Sequence, residues 1–537
     1  MNASQTWKAY KQDTIVGEEG EGGEGGGIVL DISLMGPGHN DLEPLTPALE
    51  NALEEMDALE RGAIANADEN RMVGHYWLRA PRLAPTNLIR HDIEHTLSRI
   101  ETFARKIHDG EISPERAERF RHVILVGIGG SALGPQLIHS ALGTPTAPLT
   151  LHFVDNTDPD GIDNLVEELG EALAETLIVV ISKSGTTPET RNGMAELASI
   201  YDQRGLVMAE HAVAITGVDS ELERLAKSRA WLDILPMWDW IGGRTSITSA
   251  VGLLPAALIG VDIRRFLEGA RSMDSCTRRK DIRRNPALMM AAMWHKAVSR
   301  DHTAILVILP YKDRLSLMAR YLQQLIMESL GKKYNRAGEI VHHGLTVYGN
   351  KGSTDQHAYV QQLRDGGHDY FATFIEVLKD REGPSEEVSD AATSGDYLLG
   401  FLLGTRQALM ESGHYSMTIT LPDVSARSLG ALIALYERTV GFYASLVNIN
   451  AYHQPGVEAG KKAAGSVLAL QRRAMRFLED GGEGDVEAIA SALGVGEEEM
   501  ILLHKLLEHL AANSRISKNP GADRFSHVYR AGQTSEG

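Results

Sequence analysis

The sequence predicts an α/β protein with two parallel sheets and helical segments at both ends, and three observations support this fold class. The first is that short runs of Val, Ile and Leu alternate with helical stretches. Unbroken runs of this kind suit strands that helices cover on both faces. The first set of predicted strands is His122–Val126, Leu149–Val154, Leu177–Ile181, Ala212–Thr216 and Trp231–Leu235. The second observation is a similar set after Met289, at Thr303–Leu309, Tyr370–Ile375 and Met417–Leu421.

The third observation is helical periodicity near both ends of the chain. Between Asp41 and about Gly110, apolar residues recur at steps of three or four. Residues 485–516 have the residue pattern of a helix-turn-helix. The charged run 276–285 separates the two sets of predicted strands. We therefore expect four regions. They are an N-terminal arm and helical segment at 1–110, α/β domains at 111–285 and 286–465, and a helical tail at 466–537.

Composition narrows the classes of function. The 537 residues include 53 Lys plus Arg and 72 Asp plus Glu, which gives a formal net charge of −19. This acidic excess, without a long basic stripe, argues against nucleic acid and anionic membranes as partners. The N-terminus lacks the pattern of a secretory signal, and no apolar run approaches the ~20 residues of a membrane span.

The single cysteine, Cys276, excludes an internal disulfide framework and cysteine-clustered metal sites, and it fits a reducing compartment. We therefore expect a cytoplasmic globular enzyme. The tract of glycine and glutamate at 17–27 cannot bury apolar area, so we expect a solvated loop there.

Two loops after predicted strands suit an anion. The first reads GIGGSALGP from Gly127 and contains Ser131, and its glycines allow the main chain to approach a ligand. The second reads SKSGTTPET from Ser182, and its hydroxyls, with the ammonium of Lys183, match the needs of a phosphate monoester. Two such loops on one sheet favour a phosphorylated small molecule as the ligand.

The first loop also fits other interpretations. Gly127, Gly129 and Ala132 satisfy G-x-G-x-x-A, and Asp155 ends the next predicted strand, where a dinucleotide-binding fold holds a ribose. A tight turn without a ligand, or hydroxyls that only cap a helix, are the plainer alternatives.

A candidate base lies in the predicted helix at 314–333. Its apolar stripe continues onto Glu328, and burial makes a carboxylate more basic, as a general base near neutral pH requires. Gln324 lies one turn earlier on the same face. The alternative is a surface pair between Glu328 and Lys332. Arg244 follows two glycines, so it is either close to a ligand or an ordinary surface residue.

Two further segments carry residues of interest. His357 ends the polar loop KGSTDQH and is a candidate proton shuttle, although most histidines in a chain have other roles. Lys461 falls in the first turns of a predicted helix after Pro455, where a cation opposes the helix dipole; a pair between Glu458 and Lys462 explains these lysines equally well. We find no H-E-x-x-H and no carboxylate cluster beside the histidines, so no metal is assigned.

Taken together, these segments resemble the glucose-6-phosphate isomerase (phosphoglucose isomerase) family. The motifs VGIGGSALGP, ISKSGTTPET, GGRTSITSAVGL, QQLIMESLGKKY, GSTDQHAYVQQL and YHQPGVEAGKK lie in the family's order, and NADENRMVGH at 66–75 adds its N-terminal signature. They extend over roughly residues 66 to 462. The sequence departs at Leu330, where many members have Asn, and at His453 and Pro455, where Asp and Trp are frequent.

The resemblance implies two sugar-isomerase-type (SIS) domains and interconversion of glucose 6-phosphate and fructose 6-phosphate, without a cofactor or a metal. It implies that Glu328 moves a proton between C1 and C2, that Arg244 stabilises the enediolate, and that His357 and Lys461 open the sugar ring. It also implies a homodimer in which His357 reaches the neighbouring subunit's site. The substrate-binding residues that it implies are Gly130, Ser131, Ser182, Lys183, Ser184, Thr187, Gln324 and Gln454.

Three alternatives stay open at this point. The first is a phosphosugar-binding regulator on the same fold whose C-terminal helices contact DNA. The second is an NAD-dependent dehydrogenase, and the third is a bifunctional glucose/mannose phosphate isomerase.

Overall fold

The computed structural model describes residues 7–17, 27–36, 38–301 and 304–532. Most of the predicted glycine and glutamate loop, residues 18–26, lies outside them. The chain divides into two compact units, residues 1–453 and 454–537. The domain limits expected from sequence, at 110, 285 and 465, remain predictions. No helix in the described part of the chain has the length and apolarity that crossing a bilayer requires.

The N-terminal region of the first unit contains two strands as well as the expected helices. The helices are α1 (Trp7–Gln12), α2 (Thr46–Glu60) and α3 (Asn87–His108), and the strands are β1 (Thr14–Val16) and β2 (Val29–Leu34). The hydroxyl of Thr86 caps α3 by accepting from the amide of Ile89.

The first sheet follows the alternation of strands and helices that the sequence predicts. Its strands are β3 (His122–Val126), β4 (Thr150–Val154), β5 (Thr176–Ser182), β6 (Ala212–Thr216) and β7 (Asp233–Pro236). The helices between them are α4 (Leu133–Leu142), α5 (Pro159–Leu169), α6 (Pro188–Gln203) and α7 (Glu221–Ser228). The strand order is β4-β3-β5-β6-β7, and every neighbouring pair is parallel.

Three helices connect the two sheets: α8 (Ala250–Leu258), α9 (Ile263–Thr277) and α10 (Pro286–Asp301). The amide of Asn285 donates to the carbonyl oxygen of Thr277, and its side-chain oxygen accepts from the amide of Leu288. The charged run between α9 and α10 is thereby folded against both helices.

The second sheet has six strands in the order β1-β2-β15-β12-β8-β11. Its remaining strands are β8 (Ile305–Pro310), β11 (Thr346–Tyr348), β12 (Tyr370–Val377) and β15 (Tyr415–Leu421), which pair in parallel, whereas β2 joins β15 antiparallel. Two short hairpins form separate two-stranded sheets: β9 (Lys332–Tyr334) pairs with β10 (Ile340–His343), and β13 (Glu387–Ser389) pairs with β14 (Ala392–Thr393). The helices of this region are α11 (Met318–Leu322), α12 (Val360–Asp365), α13 (Ser394–Glu411) and α14 (Ala426–Leu446).

Each sheet is covered on both faces. On β3, Val123 and Leu125 enter the large central core, whereas Ile124 and Val126 pack with α5 to α7 on the other face. The second sheet repeats this arrangement, since its opposite face packs with α12 and α13. The predicted fold class is confirmed, and one continuous core lies between the two sheets.

The second unit contains helices and a β-hairpin, and the predicted helical tail at 466–537 lies within it. Its helices are α15 (Pro455–Glu479), α16 (Val486–Leu493) and α17 (Glu497–Ala512), and its strands are β16 (Ile516–Asn519) and β17 (Val528–Ala531). Leu478, Ile489, Leu507 and Tyr529 belong to its own core. Gly494 ends α16 in the left-handed conformation, which explains the turn between α16 and α17.

Candidate active site

The two predicted anion loops lie at the same edge of the first sheet. They follow β3 and β5, which are adjacent and parallel, so their carboxyl ends face the same side. This edge is where ligands bind in open parallel sheets. The loops are therefore neighbours in space, as the sequence predicts.

The first loop is held against the loop that carries Arg244. A Cβ atom added to Gly130 would lie 2.2 Å from the carbonyl oxygen of Gly243, so only glycine fits at this contact. Ser246 donates its hydroxyl to the carbonyl oxygens of both Gly130, at 3.0 Å, and Gly243, at 2.7 Å. Ser131 ends the 3-10 turn that begins at Gly129. The following helix begins at Leu133, three residues before the predicted start near Gln136.

The second loop gathers hydroxyl groups at the start of α6. The hydroxyl of Ser182 accepts from the amide of Gly185 at 3.1 Å, and that of Ser184 accepts from the amide of Thr186 at 3.1 Å. Thr187 is the half-buried residue before the first residue of α6. The loop therefore presents donors beside a helix N-terminus, which favours a bound anion.

Lys183 has main-chain partners in this structure. Its ammonium donates to the carbonyl oxygens of Asp239 and Ile241, each at 3.0 Å. Burial, together with the nearby positive charge of Arg71, lowers the pKa of Lys183 to about 8. Lys183 thus connects the second loop to the segment that precedes Arg244, and its predicted contact with phosphate remains a prediction.

Arg244 and Glu328 form an ion pair at the centre of the candidate site. The Nε of Arg244 donates to Oε2 of Glu328 at 3.0 Å. Arg244 is buried, whereas 21% of the Glu328 side chain is exposed. The guanidinium also donates to the carbonyl oxygens of Ala451, at 2.7 Å, and His453, at 3.4 Å. Arg244 is therefore not an ordinary surface residue, which was the alternative interpretation.

The local helix around Glu328 differs from the prediction. After α11, residues Gln323–Glu328 form a π-helical turn, and Lys332 already belongs to β9 rather than to a helix that continues to residue 333. The ammonium of Lys332 donates to the main-chain oxygen of Glu328 at 2.8 Å. The alternative of a surface pair between the two side chains is wrong, because the carboxylate of Glu328 pairs with Arg244 instead.

Gln324 lies in the same π-helical turn and close to the first loop. A Cβ atom on Gly129, whose φ is +56°, would lie 3.2 Å from Nε2 of Gln324. The side chain of Gln324 is half-buried. The structure thus brings together both anion loops, Arg244, Gln324 and Glu328.

His357 lies elsewhere, on an exposed 3-10 turn that follows β11. Among the described residues, it has no hydrogen bond or ion pair to Arg244 or Glu328. The turn itself is firmly anchored. Asp355 is buried and accepts from the hydroxyl of Tyr359 at 2.6 Å, and Gln356 donates to the carbonyl oxygen of Phe401 at 3.0 Å.

The last two predicted residues belong to the second unit. Gln454 is exposed and directly precedes α15. Lys461 lies in α15, and its side chain is outside the described part of the chain. Their contribution to the site remains a prediction.

The sequence assigned no role to Ala451 and His453, whose main-chain oxygens support Arg244. Patterns of hydroxyl and charged side chains give no information about main-chain oxygens. Asn66 of the N-terminal signature does contact the same segment, because its side chain donates to the carbonyl oxygen of Tyr452 at 3.3 Å. Asp155, the residue of the dinucleotide interpretation, accepts from Nε2 of Gln136 at 2.8 Å. No group of three potential metal ligands is found among the described residues.

Comparison with known proteins finds one family over most of this chain. The family model described as phosphoglucose isomerase matches residues 45–414 and 409–480. A glucose-6-phosphate isomerase of Geobacter sulfurreducens is 55% identical over 515 residues, which are 96% of this chain and 96% of that protein. One of Nostoc punctiforme is 54% identical over 516 residues, with the same coverage of both chains.

A solved structure extends the similarity to the fold. The crystal structure of a glucose-6-phosphate isomerase from Chlamydia trachomatis superposes with a TM-score of 0.78 at 26% identity, over 86% of this chain and 91% of that one. Because the family match, the relatives and the fold agree over most of its length, the chain belongs to the phosphoglucose isomerase family.

Proposed function

We propose that this protein interconverts D-glucose 6-phosphate and D-fructose 6-phosphate, as an aldose-ketose isomerase of glycolysis and gluconeogenesis. The observation that carries the proposal is the contact between Arg244 and Glu328 beside two anion loops. It combines a carboxylate that can move a proton, a cation that can face a developing oxyanion, and a phosphate grip. The relatives that bear the name of this activity support the same conclusion.

The phosphate grip is assigned to the loop residues. Ser182, Ser184 and Thr187 offer hydroxyl donors at the N-terminus of α6, where the helix dipole favours a dianion. Lys183 contributes positive charge, and Gly130, Ser131 and Gln324 line the adjoining edge. This grip fixes the sugar so that its first two carbons face Glu328.

The proton transfer is assigned to Glu328. Its carboxylate removes the proton from C2 of the open-chain aldose, while the electron pair moves to the carbonyl oxygen on C1 and forms an enediolate. The proton of the O2 hydroxyl moves to O1, the electron pair on O2 forms the C2 carbonyl, and return of the proton from Glu328 to C1 gives the ketose. Arg244 stabilises the negative oxygen of the enediolate, because its guanidinium is buried and held in place before the reaction begins.

Ring opening is assigned to His357 and Lys461, with Gln454 as a further contact to the substrate. We propose that the protein is a homodimer in which His357 enters the site of the partner subunit. Two observations support this: the turn of His357 is exposed yet anchored to α13, and α13 exposes Leu399, Phe401 and Leu403 by 43%, 44% and 47%. Exposed apolar side chains on one helix are typical of a surface that another chain covers.

We further propose that the enzyme acts in the cytoplasm. Its one cysteine, Cys276, is buried and cannot form a disulfide within the chain, which suits a reducing compartment.

The base assignment is tested with Glu328→Gln. We expect turnover of fructose 6-phosphate, coupled to glucose-6-phosphate dehydrogenase, to fall by at least about 10³-fold, because the amide cannot accept the proton. Substrate affinity changes little, since the phosphate grip is intact. Glu339→Gln, at an exposed position, is the matched control. Undiminished turnover in Glu328→Gln contradicts the assignment.

The sharing of His357 is tested by mixing inactive subunits. Coexpressed Glu328→Gln and His357→Ala chains form heterodimers in which one site receives an intact Glu328 and an intact His357. We expect a heterodimer to regain about half of the wild-type activity. If His357 acts within its own chain, both sites of the heterodimer stay defective and no activity returns.

A further inference from the structure

Lys332 is a buried lysine that none of the assigned roles uses. Only 5% of the residue is exposed, although it lies next to the exposed Lys333 at the start of β9. Its ammonium donates to the main-chain oxygen of Glu328 and to that of His453, each at 2.8 Å. Lys332 therefore joins the end of the π-helical turn to the segment that follows α14.

That segment also holds Arg244. The carbonyl oxygen of His453 accepts from Nη2 of Arg244 at 3.4 Å, so the arginine and Lys332 share one acceptor. The carbonyl oxygen of Ala451 accepts from Nη1 of Arg244 at 2.7 Å. A displacement of Lys332 would move both the backbone of Glu328 and the oxygen that orients the guanidinium.

The charge of Lys332 has a second consequence. Both of its hydrogen-bond acceptors are neutral carbonyl oxygens, so neither cancels the positive charge. The charged and titratable groups around it are Glu328 at the end of the π-helical turn, Arg244, Asp68, and the imidazole of His453. Burial and Arg244 lower the pKa of Lys332 to about 8, whereas Glu328 and Asp68 act in the opposite direction.

We propose that Lys332 is a positioning residue for the isomerisation: it aligns Glu328 with Arg244 through their shared main-chain support and places its positive charge beside the carboxylate. The inference depends on the proposed function. A role in stability alone lowers the thermal midpoint, whereas a positioning role lowers kcat while the affinity for phosphate is kept.

Three variants of the full chain test the role. Lys332→Gln removes the charge but keeps a donor, Lys332→Arg keeps the charge, and Lys333→Gln is the matched exposed control. The measurements are kcat and KM for fructose 6-phosphate from pH 5.5 to 9.5, the inhibition constant of inorganic phosphate, and the thermal midpoint.

For Lys332→Gln we expect kcat to fall about 10- to 100-fold, as for the loss of a group that orients charge stabilisation. The inhibition constant of phosphate stays within about threefold, because the phosphate loops are untouched. The decline of kcat above about pH 8, where wild-type Lys332 loses its proton, is absent from Lys332→Gln. Lys332→Arg recovers most of kcat at pH 7, and Lys333→Gln behaves as wild type.

The outcomes are distinguishable. Wild-type kcat in Lys332→Gln overturns the proposal, and so does an equal loss in Lys332→Gln and Lys332→Arg that tracks only the thermal midpoint. If Lys332→Gln does not fold, a kcat of Lys332→Arg that declines above about pH 8 as in the wild type overturns it. An inactive wild-type chain would instead contradict the proposed function.

Discussion

Replacing Glu60 by Gln removes one carboxylate from a buried network of charges in the first unit. The carboxylate of Glu60 pairs with Arg278 at 2.8 Å and with Arg438, which is also bound to Asp274. Burial alone raises the pKa of a carboxyl group, but Arg438 and Arg278 outweigh burial and lower the pKa of Glu60 to about 2 from 4.5. That difference corresponds to about 3 kcal/mol of folding stability at pH 7.

The pH dependence of this stabilisation follows from the lowered pKa of Glu60. Because the folded state binds the proton of Glu60 more weakly than the unfolded state, the stabilisation is complete above pH 4.5 and is lost as the pH falls through about 2. We expect Glu60→Gln to lower the free energy of unfolding by about 3 kcal/mol at pH 7 and by about half as much at pH 3.

Urea unfolding followed by tryptophan fluorescence measures this difference. All six tryptophans lie within residues 1–453, and the indole of Trp77 donates to the carbonyl oxygen of Glu60 at 2.8 Å. The exposed Glu54 of the same helix provides the control, and Glu54→Gln changes stability by less than about 0.5 kcal/mol. A difference for Glu60→Gln that is below about 1 kcal/mol at pH 7, or independent of pH, refutes the reasoning.

Three further predictions concern activity. Gly130→Ala places a methyl group 2.2 Å from the carbonyl oxygen of Gly243, so we expect a loss of about 1–3 kcal/mol in stability together with reduced kcat/KM. Gln356→Ala frees the turn of His357 from the carbonyl oxygen of Phe401, and we expect kcat for the ring-closed substrate to fall about tenfold with little change in KM. Wild-type kcat declines above about pH 8, as Lys332 loses its proton and its charge, which a pH series of initial rates detects.

Each of these three predictions has a control variant. A Cβ atom on Gly161 meets nothing within 4 Å, so Gly161→Ala keeps full activity and stability. Gln361 is exposed on α12, and Gln361→Ala leaves kcat unchanged. Lys332→Arg extends the activity plateau to higher pH, because arginine stays charged. Equal effects in a variant and its control count against the corresponding prediction.

The sequence predicts the parallel strands of both sheets better than it predicts β1 and β2, the N-terminal strands of the second sheet. Strands buried on both faces leave continuous apolar runs, as Leu177–Ile181 does within β5. β1 has three residues, and β2 contains Asp31, which is buried because Arg406 of α13 binds it. Because Arg406 is so distant along the chain, the local sequence does not indicate that Asp31 is buried. The polar Asp31 also interrupts the apolar pattern by which a buried strand is recognised.

The candidate site also contains features that the sequence predicts and features that it does not. Both anion loops were predictable because glycines and hydroxyls at strand ends are a local pattern. Glu328 was predictable from the apolar stripe, but the π-helical turn that carries it has no composition of its own. Ala451 and His453 support Arg244 and Lys332 through main-chain oxygens. Because every residue has a main-chain oxygen, the residue type does not predict these roles.

Those main-chain oxygens explain how a chain with a net charge of −19 can hold a dianionic substrate. Lys183 and Lys332 donate to carbonyl oxygens, which satisfy their hydrogen bonds without cancelling their charges, whereas Arg244 also pairs with Glu328. Carboxylates in those places would neutralise the site before the substrate arrived. Since the attraction is then local and electrostatic, we expect added salt to raise the KM for fructose 6-phosphate, although the protein as a whole repels anions. A KM that falls or stays constant between low salt and 0.5 M NaCl would contradict this account of the site.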